Sequence, residues 1–443
     1  MPLAFGPDES NPMVDTLLRQ RVPQWQQLNR AIDSRDEMLL FADETYGFDR
    51  DLALFSYFAN GLALRDDLRH IARCRFGDAA IPSFLDFASG YGRLTRFLVH
   101  EKMASSITVS DILTDAMEFQ RNQFGVRTLP SVGNAADFDP QGSYDCIFVA
   151  SLFTHLPPDA FRGWLRRLDE SLRPGGLLVF SVHDESLAPT KVDQGILFRA
   201  ESESRTLDPA EYGSTWVTGA FVRETVRAVD PGATVVRAPR AISGFQDIYV
   251  VSAVPFELQP RTVVNGFLER CDTSADQISF SGWATAAGQM CDRVEVRVGD
   301  RLAATTREFH PRPDVEAFLM TEASLASGWS CPIPLDAVGS FHTDIVTVSA
   351  FSRSGVERIL FLGTIQTAMA TVERRRANWL QDQLGATTEE NPALAQLTAT
   401  LDATSRERDA LATEIDMMRQ SRFWQAREHW WRLSRALGRG SRQ

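Results

Sequence analysis

The sequence lacks the long apolar runs and the basic balance that mark several large classes of protein. No uninterrupted apolar stretch in the 443 residues approaches the roughly 18 residues that span a bilayer. The opening residues, MPLAFGPDESNP, contain neither a charged segment nor an apolar one, so we expect no secretory signal peptide. The net charge of −12 argues against a general nucleic-acid binder, because neutralising phosphates requires a basic surface.

Cysteine is also scarce and irregularly placed. The five cysteines are odd in number, are scattered along the chain and form no CxxC pair. We therefore expect reduced, mostly structural thiols in a cytoplasmic protein, because disulfides are rare in reducing compartments. No group of His, Cys, Asp or Glu has the spacing of metal ligands, so we predict no catalytic metal.

The strongest positive signal is the stretch FLDFASGYGRLTRFL at 84–98. Apolar residues around Asp86 predict the end of a buried strand, a turn of small residues follows, and the spacing from Arg93 onwards is helical. A strand, a glycine turn and a helix together present backbone N–H groups and a positive helix end to an anionic ligand. A side chain at Gly90 or Gly92 would hold that ligand away from the backbone.

A second strand-like run at 107–110 ends in Asp111, nineteen residues past Gly92. An acid at about this distance accepts hydrogen bonds from a ribose diol. The dinucleotide pattern requires a third glycine three residues after the second, and Thr95 stands there instead. A nicotinamide cofactor is therefore disfavoured.

The pattern resembles the first motif of class I S-adenosylmethionine-dependent methyltransferases, an acid followed by glycines at alternate positions. Asp86, Gly90 and Gly92 match this motif, whereas Ala88 stands where the family most often has its first glycine. Three later stretches continue the resemblance. GNA at 133–135 resembles the turn after strand three, YDCIFVA at 144–150 resembles the fourth motif with its strand, and LRPGG at 172–176 resembles the turn into strand five. The resemblance covers about residues 50 to 255 and implies an enzyme with S-adenosylmethionine as its cofactor.

The resemblance also implies roles for individual residues. Asp86 would support the loop and the methionine end of the cofactor, Asp111 would hold the ribose diol, and Asn134 would contact the adenine. The other three cofactor-binding residues would form the turn at which the backbone approaches the cofactor: Ala88, Gly90 and Gly92.

The fold class is α/β, with a Rossmann-like methyltransferase sheet of seven strands in a domain at 51–256, after an N-terminal helical extension at 1–50. A last pair of strands near 233–237 and 247–253 resembles the antiparallel hairpin that distinguishes this sheet from a dinucleotide-binding one. The first five strands are predicted at 83–87, 106–110, 127–131, 144–150 and 176–182.

Transfer of a methyl group to a hydroxyl requires a base for its proton. His155 follows strand four, and His183 with Asp184 follows strand five, so these are the candidate catalytic residues. His183 and Asp184 are the better placed because both follow the strand end directly, although a bracing role for either histidine stays open. The long insertion at 183–229 is expected to shape the acceptor pocket, with Tyr212 as a candidate substrate contact.

From about residue 258 the pattern changes to short alternating runs separated by Gly, Asp and Ser. These runs predict a β-sandwich at 258–365. The pieces SFSGWA, VEVRVGD, HPRPDVEAFL and SGW resemble an accessory β domain of bacterial enzymes that assemble cell-surface glycans. That resemblance implies O-methylation of a sugar hydroxyl on a surface glycan or its lipid-linked precursor. Two alternatives stay open: a small-molecule O-methyltransferase, or a non-catalytic scaffold that binds S-adenosylmethionine and acts through its C-terminal helices.

Residues 367–438 are predicted to be helical. A heptad seam runs from Leu394 to Met418, with polar interruptions at Thr404 and Arg408. The seam favours a coiled coil and a homo-oligomer over a helix that folds back on its own chain. The segment 419–443 has seven arginines, one glutamate and several tryptophans. Such a composition suits the inner surface of a membrane. The groove of a partner protein, or a solvated charged segment with incidental aromatic residues, are the alternatives.

Overall fold

The structure is a computed structural model that describes residues 4–373, apart from 8, 46–48, 202–203, 205, 243–244, 287–288 and 320–325. The predicted heptad seam and the basic segment 419–443 lie outside the described residues. Within the described ranges, no helix is both long enough and apolar enough to cross a bilayer.

The residues before the first strand form three helices. Asn11 begins the first of them, because its side-chain oxygen accepts hydrogen bonds from the N–H groups of Met13 and Val14, both at 3.0 Å. Asp49 caps the third helix in the same way. These helices are α1 (Pro12–Arg21), α2 (Glu37–Thr45) and α3 (Arg50–Phe76).

A mixed sheet with flanking helices follows. Its strands are β1 (Phe84–Phe87), β2 (Ile107–Asp111), β3 (Arg127–Pro130), β4 (Tyr144–Val149), β5 (Leu172–Asp184), β6 (Ile196–Arg199), β7 (Ser214–Val217), β8 (Thr234–Ile242) and β9 (Gln246–Ser252). Its helices are α4 (Thr95–His100), α5 (Thr114–Phe124), α6 (Pro158–Asp169) and α7 (Gly219–Val229). Five parallel strands stand in the order β3-β2-β1-β4-β5, β9 pairs antiparallel with β5, and β8 pairs with β9.

In the described part of the chain the sheet has nine strands, two more than the seven that the sequence predicts. The two additional strands, β6 and β7, come from the insertion after β5. Strand β7 pairs with the end of β5, with His183 opposite Trp216 and Asp184 opposite Val217. The insertion therefore extends the sheet at the edge where the carboxyl ends of the parallel strands meet.

Both faces of the parallel strands are buried, which explains the unbroken apolar run in β4. Ile147 and Val149 pack on one face in a core that includes Trp164 of α6. Cys146 and Phe148 pack on the other face in a core that includes Leu68 of α3. Because helices cover both faces, a ligand reaches the sheet at the carboxyl ends of its strands.

Two antiparallel sheets follow the mixed sheet. Their elements are β10 (Val264–Thr273), β11 (Gln277–Ala286), β12 (Gln289–Met290), β13 (Arg293–Val298), β14 (Arg301–Thr306), β15 (Phe309–His310), α8 (Pro313–Leu319), β16 (Gly328–Pro334), β17 (Val346–Phe351) and β18 (Glu357–Gly363). One sheet has the order β10-β11-β16-β15 and the other β14-β13-β17-β18. Phe280 and Trp329 of the first share one core with Val296 and Val348 of the second, which is the layered arrangement of a β-sandwich.

Candidate cofactor and acceptor site

A cavity of about 250 Å³ lies at the carboxyl ends of β1, β2 and β4. Its floor is formed by the segments 86–91, 111–113, 131–133 and 150–152, which follow or end strands of the parallel sheet. Residues 36–38, next to the start of α2, and residues from 207 to 212 of the insertion contribute further walls. This is the position in which open α/β sheets bind their ligands.

The turn after β1 passes through the left-handed backbone region three times. Ala88 has φ of +56°, Gly90 of +55° and Gly92 of +79°. A Cβ built on Gly90 would meet nothing within 4 Å, which leaves its backbone open to a ligand in the cavity. Ala88 adopts a left-handed backbone conformation that favours glycine, at a cost in backbone energy.

Gly92 has a different reason to be glycine from the one that the sequence suggests. A Cβ at Gly92 would lie 2.7 Å from Phe124 Cε2 and 2.8 Å from Gln120 Oε1, both on α5. Gly92 is not among the residues that line the cavity. Its role in the structure is therefore close packing against α5, whereas Gly90 lines the cavity.

Asp111 joins the turn to the end of β2. The Gly90 N–H donates to its Oδ2 at 2.8 Å, and the Leu113 N–H donates to its Oδ1 at 2.9 Å. Burial raises the pKa of Asp111, and these backbone hydrogen bonds oppose that rise. Each carboxylate oxygen has a further lone pair, so the group fits a ribose diol presented in the cavity.

Asp86 is buried at the end of β1 and lines the same cavity. The Thr95 hydroxyl donates to its Oδ2 at 2.8 Å, so the residue in place of the third glycine holds this carboxyl. Burial, with a smaller contribution from the charge of Asp111, raises the pKa of Asp86 to about 7. A cation near Asp86 would favour its ionised form.

Asn134 does not reach the cavity. Its Oδ1 accepts from the Ala136 N–H at 3.2 Å and its Nδ2 donates to Asp137 at 3.1 Å, so it caps the short helix 135–137. The lining residues in this loop are its predecessors, 131–133. An adenine contact from this loop would therefore come from these residues.

Tyr212 lines the cavity and stacks on His155, with ring centroids 4.4 Å apart and planes 19° apart. The Nδ1 of His155 lies 2.6 Å from the carbonyl oxygen of Gly213. Because a carbonyl only accepts, Nδ1 carries the proton and donates, and the neutral ring keeps its lone pair on Nε2.

His183 lies behind this stack, with its ring centroid 6.4 Å from that of His155 and 5.4 Å from that of Phe245. Burial, and to a smaller extent His155, lower its pKa to about 4, so His183 is neutral at pH 7. Its Nδ1 is buried and has no hydrogen-bond partner among the described residues. His183 is not one of the residues that line the cavity.

Asp184 does not act together with His183. Successive residues of a strand point to opposite faces, and the Asp184 carboxylate instead pairs with Arg237, with Nη2 and Oδ2 2.7 Å apart. Desolvation acts to raise the pKa of Asp184, but the hydrogen bonds from Ser186 and the charge of Arg237 outweigh it and lower the pKa. An acid held in this way is a poor acceptor for a substrate proton.

Sequence reasoning missed most of the charge in the cavity. Six carboxylates line it: Asp36, Glu37, Asp86, Asp111, Asp208 and Glu211. Among the described residues that line it, Arg93 is the single basic one. The position of Arg93 directly after the glycine turn is a signal that sequence analysis could have used, whereas the residues from α2 and the insertion depend on tertiary packing. Within the described ranges, no three His, Cys, Asp or Glu side chains come together as metal ligands.

Comparison with known proteins supports the interpretation of this region. Residues 84–176 match the family described as a methyltransferase domain; they run from β1 into β5 and make up about a fifth of the chain. No curated protein matches the sequence.

Several solved structures are similar over about half of the chain. The 1,6-didemethyltoxoflavin-N1-methyltransferase of Burkholderia thailandensis is 19% identical with a TM-score of 0.33, and the match covers 48% of this chain and 86% of that one. An amino pentose methyltransferase of Micromonospora echinaspora is 16% identical with a TM-score of 0.34, over 48% of this chain and 97% of that one. Likenesses this remote do not bear on the substrate. The family match at the strands that build the cavity confirms the predicted enzyme class: the chain contains a methyltransferase domain whose cofactor is S-adenosylmethionine.

Proposed function

We propose that the protein binds S-adenosylmethionine in this cavity, with the ribose at Asp111. It then methylates a hydroxyl of a sugar that enters beside Tyr212. The observation that carries the proposal is the pairing of these two residues in one cavity. Asp111 is fixed by the Gly90 N–H at the cofactor side, and Tyr212 is fixed by its stack on His155 at the insertion side.

The residues at the ends of β1 and β2 would hold the cofactor. Asp111 would accept hydrogen bonds from the ribose diol, the open backbone at Gly90 would allow close approach, and Asp86 would support the methionine end. When bound, S-adenosylmethionine supplies an electrophilic methyl group. The protein's contribution to such an in-line displacement is mainly the positioning of the two reactants.

The insertion would hold the acceptor. Asp208 and Glu211 present carboxylates that accept hydrogen bonds from hydroxyls, and Tyr212 presents an aromatic ring that can pack on the C–H face of a sugar. This combination suits a polyhydroxylated acceptor. The resemblance of the β-rich region to accessory domains of glycan assembly enzymes favours a surface glycan or its lipid-linked precursor.

His155 is the better candidate for the base. The Gly213 carbonyl orients its ring through Nδ1, so that Nε2 is the nitrogen without a proton in the neutral ring. His155, like His183, is not among the residues that line the cavity, but its ring stacks on Tyr212, which does line it. His183 is more deeply placed and has a pKa of about 4, so it holds a proton weakly at pH 7. Transfer to a hydroxyl would therefore release its proton to His155.

An amine acceptor is a second candidate. Asp208 and Glu211 of the insertion bring negative charge to the proposed acceptor side of the cavity, which would attract a cationic amine. An amine has its own lone pair once deprotonated and does not need His155 in the way that a hydroxyl does. A small-molecule hydroxyl stays open as well, because the cavity itself does not distinguish a free sugar from a glycan.

The test is formation of S-adenosylhomocysteine and methylated product with neutral sugars, amino sugars and lipid-linked glycans, using the wild type, His155→Phe and His100→Phe. His155→Phe keeps a ring against Tyr212, and His100 is a matched control because its Nε2 also contacts a backbone carbonyl, that of Pro23. We expect sugar hydroxyl methylation that falls about a hundredfold in kcat in His155→Phe alone.

Methylation restricted to amines, with His155→Phe fully active, would overturn the hydroxyl proposal in favour of the amine. Cofactor binding without turnover on any of these acceptors would favour the scaffold alternative. The predicted oligomerisation through the heptad seam and the membrane contact of 419–443 stay proposals. Pelleting of the full chain with anionic vesicles, against a chain ending at 418, tests the second.

A further inference from the structure

Arg93 enters the cavity from the turn between β1 and α4. Helix α3 passes close to it at Gly61, where an added Cβ would lie 2.7 Å from the Arg93 carbonyl oxygen and 3.3 Å from Arg93 Cγ. The backbone and the base of the Arg93 side chain are therefore held between the turn and α3.

The guanidinium of Arg93 has no hydrogen bond and no ion pair with any residue in the described part of the chain. Burial lowers its pKa, while the nearby Tyr57 and Asp36 oppose that effect. An arginine in such a place usually has a carboxylate partner, because leaving a cation desolvated and unpaired is costly.

The neighbouring polar groups are already engaged. Asp36 accepts from the Tyr57 hydroxyl at 2.6 Å and from the Met38 N–H at 2.9 Å. Arg96 donates to the Tyr57 hydroxyl at 3.2 Å and to the Ala31 carbonyl at 3.0 Å. These contacts fix the surroundings of Arg93 and leave its own donors to the cavity.

The charges of this cluster do not balance. Two guanidinium groups, on Arg93 and Arg96, stand with one carboxylate, that of Asp36, so the cluster keeps at least one positive charge. Asp86 lines the same cavity, but its pKa responds to Thr95 and Asp111 and not to Arg93. An anionic group in the cavity beside Arg93 would balance the charge, and a carboxylate matches the planar fork of a guanidinium.

We propose that Arg93 binds the carboxylate of the aminoacyl end of S-adenosylmethionine, and that the Asp36–Tyr57–Arg96 cluster holds Arg93 in place. The inference rests on the proposed cofactor site. Asp111 lines the cavity from the end of β2, and Arg93 lines it from the turn after β1, beside α3. The proposal assigns the ribose to the first residue and the aminoacyl carboxylate to the second.

Calorimetric titration with S-adenosylhomocysteine and with 5′-methylthioadenosine, which lacks the aminoacyl group, tests this assignment. The proteins are the wild type, Arg93→Met, and Arg121→Met as a control at an exposed position of α5. We expect Arg93→Met to weaken S-adenosylhomocysteine binding about tenfold or more and to leave 5′-methylthioadenosine binding unchanged. The control should bind both ligands as the wild type does.

Equal affinity of the wild type and Arg93→Met for S-adenosylhomocysteine would overturn the assignment and leave Arg93 to an anion of the acceptor. Failure of the wild type to bind S-adenosylhomocysteine at all would overturn the proposed cofactor site instead.

If Arg93→Met does not fold, the wild type is titrated with S-adenosylhomocysteine and its decarboxylated form. A loss of about tenfold on removing the carboxylate supports the assignment, and equal affinities refute it.

Discussion

Gly90 donates its backbone N–H to the Asp111 carboxylate at 2.8 Å, which ties the turn after β1 to the end of β2. Asp111 is also one of the residues that line the cavity. Loss of this acid would therefore affect both the structure of the turn and the binding of a ligand in the cavity, and the two effects can be measured separately.

Replacing Asp111 with Ala removes a charge-assisted acceptor from the proposed ribose site. We expect binding of S-adenosylmethionine and S-adenosylhomocysteine to weaken by roughly 1.5–3 kcal/mol, about tenfold or more, measured by calorimetric titration. Asp159→Ala is a matched control, because Asp159 is a fully exposed carboxylate at the start of α6. Unchanged affinity in Asp111→Ala would contradict the proposed ribose contact, and melting curves of both variants separate binding from folding.

Replacing Ala88 with Gly should stabilise the protein. Ala88 has φ of +56°, where an alanine costs roughly 1–2 kcal/mol and a glycine almost nothing. The greater freedom of glycine in the unfolded chain offsets part of this gain, so we expect a net increase of about 0.5–1 kcal/mol in the free energy of unfolding.

Urea unfolding measures the effect, and Ala160→Gly in helix α6 is the control. There the same substitution should destabilise by about 1 kcal/mol, because the backbone is helical. Destabilisation by Ala88→Gly would mean that the methyl group contributes more packing than its backbone conformation costs.

These two positions show what sequence reasoning can and cannot provide. The turn, the apolar strand β4 and the acid at the end of β2 are local patterns, and each was found at its place. Asn134 was assigned to the adenine on the family resemblance, and Asp184 to catalysis because it follows a strand end. The side chain of each is instead engaged by its own neighbours: a short helix for Asn134, and Ser186 and Arg237 for Asp184. Which face a side chain takes depends on tertiary contacts that spacing does not record.

The same limit applies to the walls of the cavity. Residues 36–38 and 207–212 reach it from segments that are distant in sequence from the glycine turn, and β6 and β7 join the sheet only through pairing with the end of β5. The helical and strand patterns of these segments contain no signal for where they pack.

Asp86 should make stability depend on pH. Its pKa is about 7 in the folded protein against about 3.9 for an unperturbed aspartate, so the folded state binds the proton more tightly. The contribution of the protonated Asp86 carboxyl to the free energy of unfolding is fully present below pH 4. It is lost as the pH rises through 7, by up to about 4 kcal/mol.

Asp86→Asn keeps an acceptor for the Thr95 hydroxyl and removes the titration. We expect the wild type to lose stability relative to Asp86→Asn between pH 5 and pH 8, as measured by urea unfolding without cofactor. Parallel stability curves for the two proteins over this range would show that the carboxyl is already ionised at pH 5.

Arg93→Met should raise the melting temperature of the protein without ligand. The substitution removes a cation that has no hydrogen-bond or ion-pair partner in the described part of the chain, and it also removes the repulsion from Arg96. Met has a similar length and can pack against α3 at Gly61, so a gain of about 1 kcal/mol is expected in the free energy of unfolding.

Arg65→Met is the informative contrast, because Arg65 is buried and paired with Glu101 at 2.7 Å, and its removal should destabilise. Saturating S-adenosylhomocysteine should reverse the order of wild type and Arg93→Met. The stabilisation by a ligand grows with the logarithm of its affinity, so a tenfold weaker affinity removes about 1.4 kcal/mol, more than the expected gain. A lower melting temperature for Arg93→Met both with and without ligand would mean that the guanidinium stabilises the fold itself, and that its open position is not reserved for an anion.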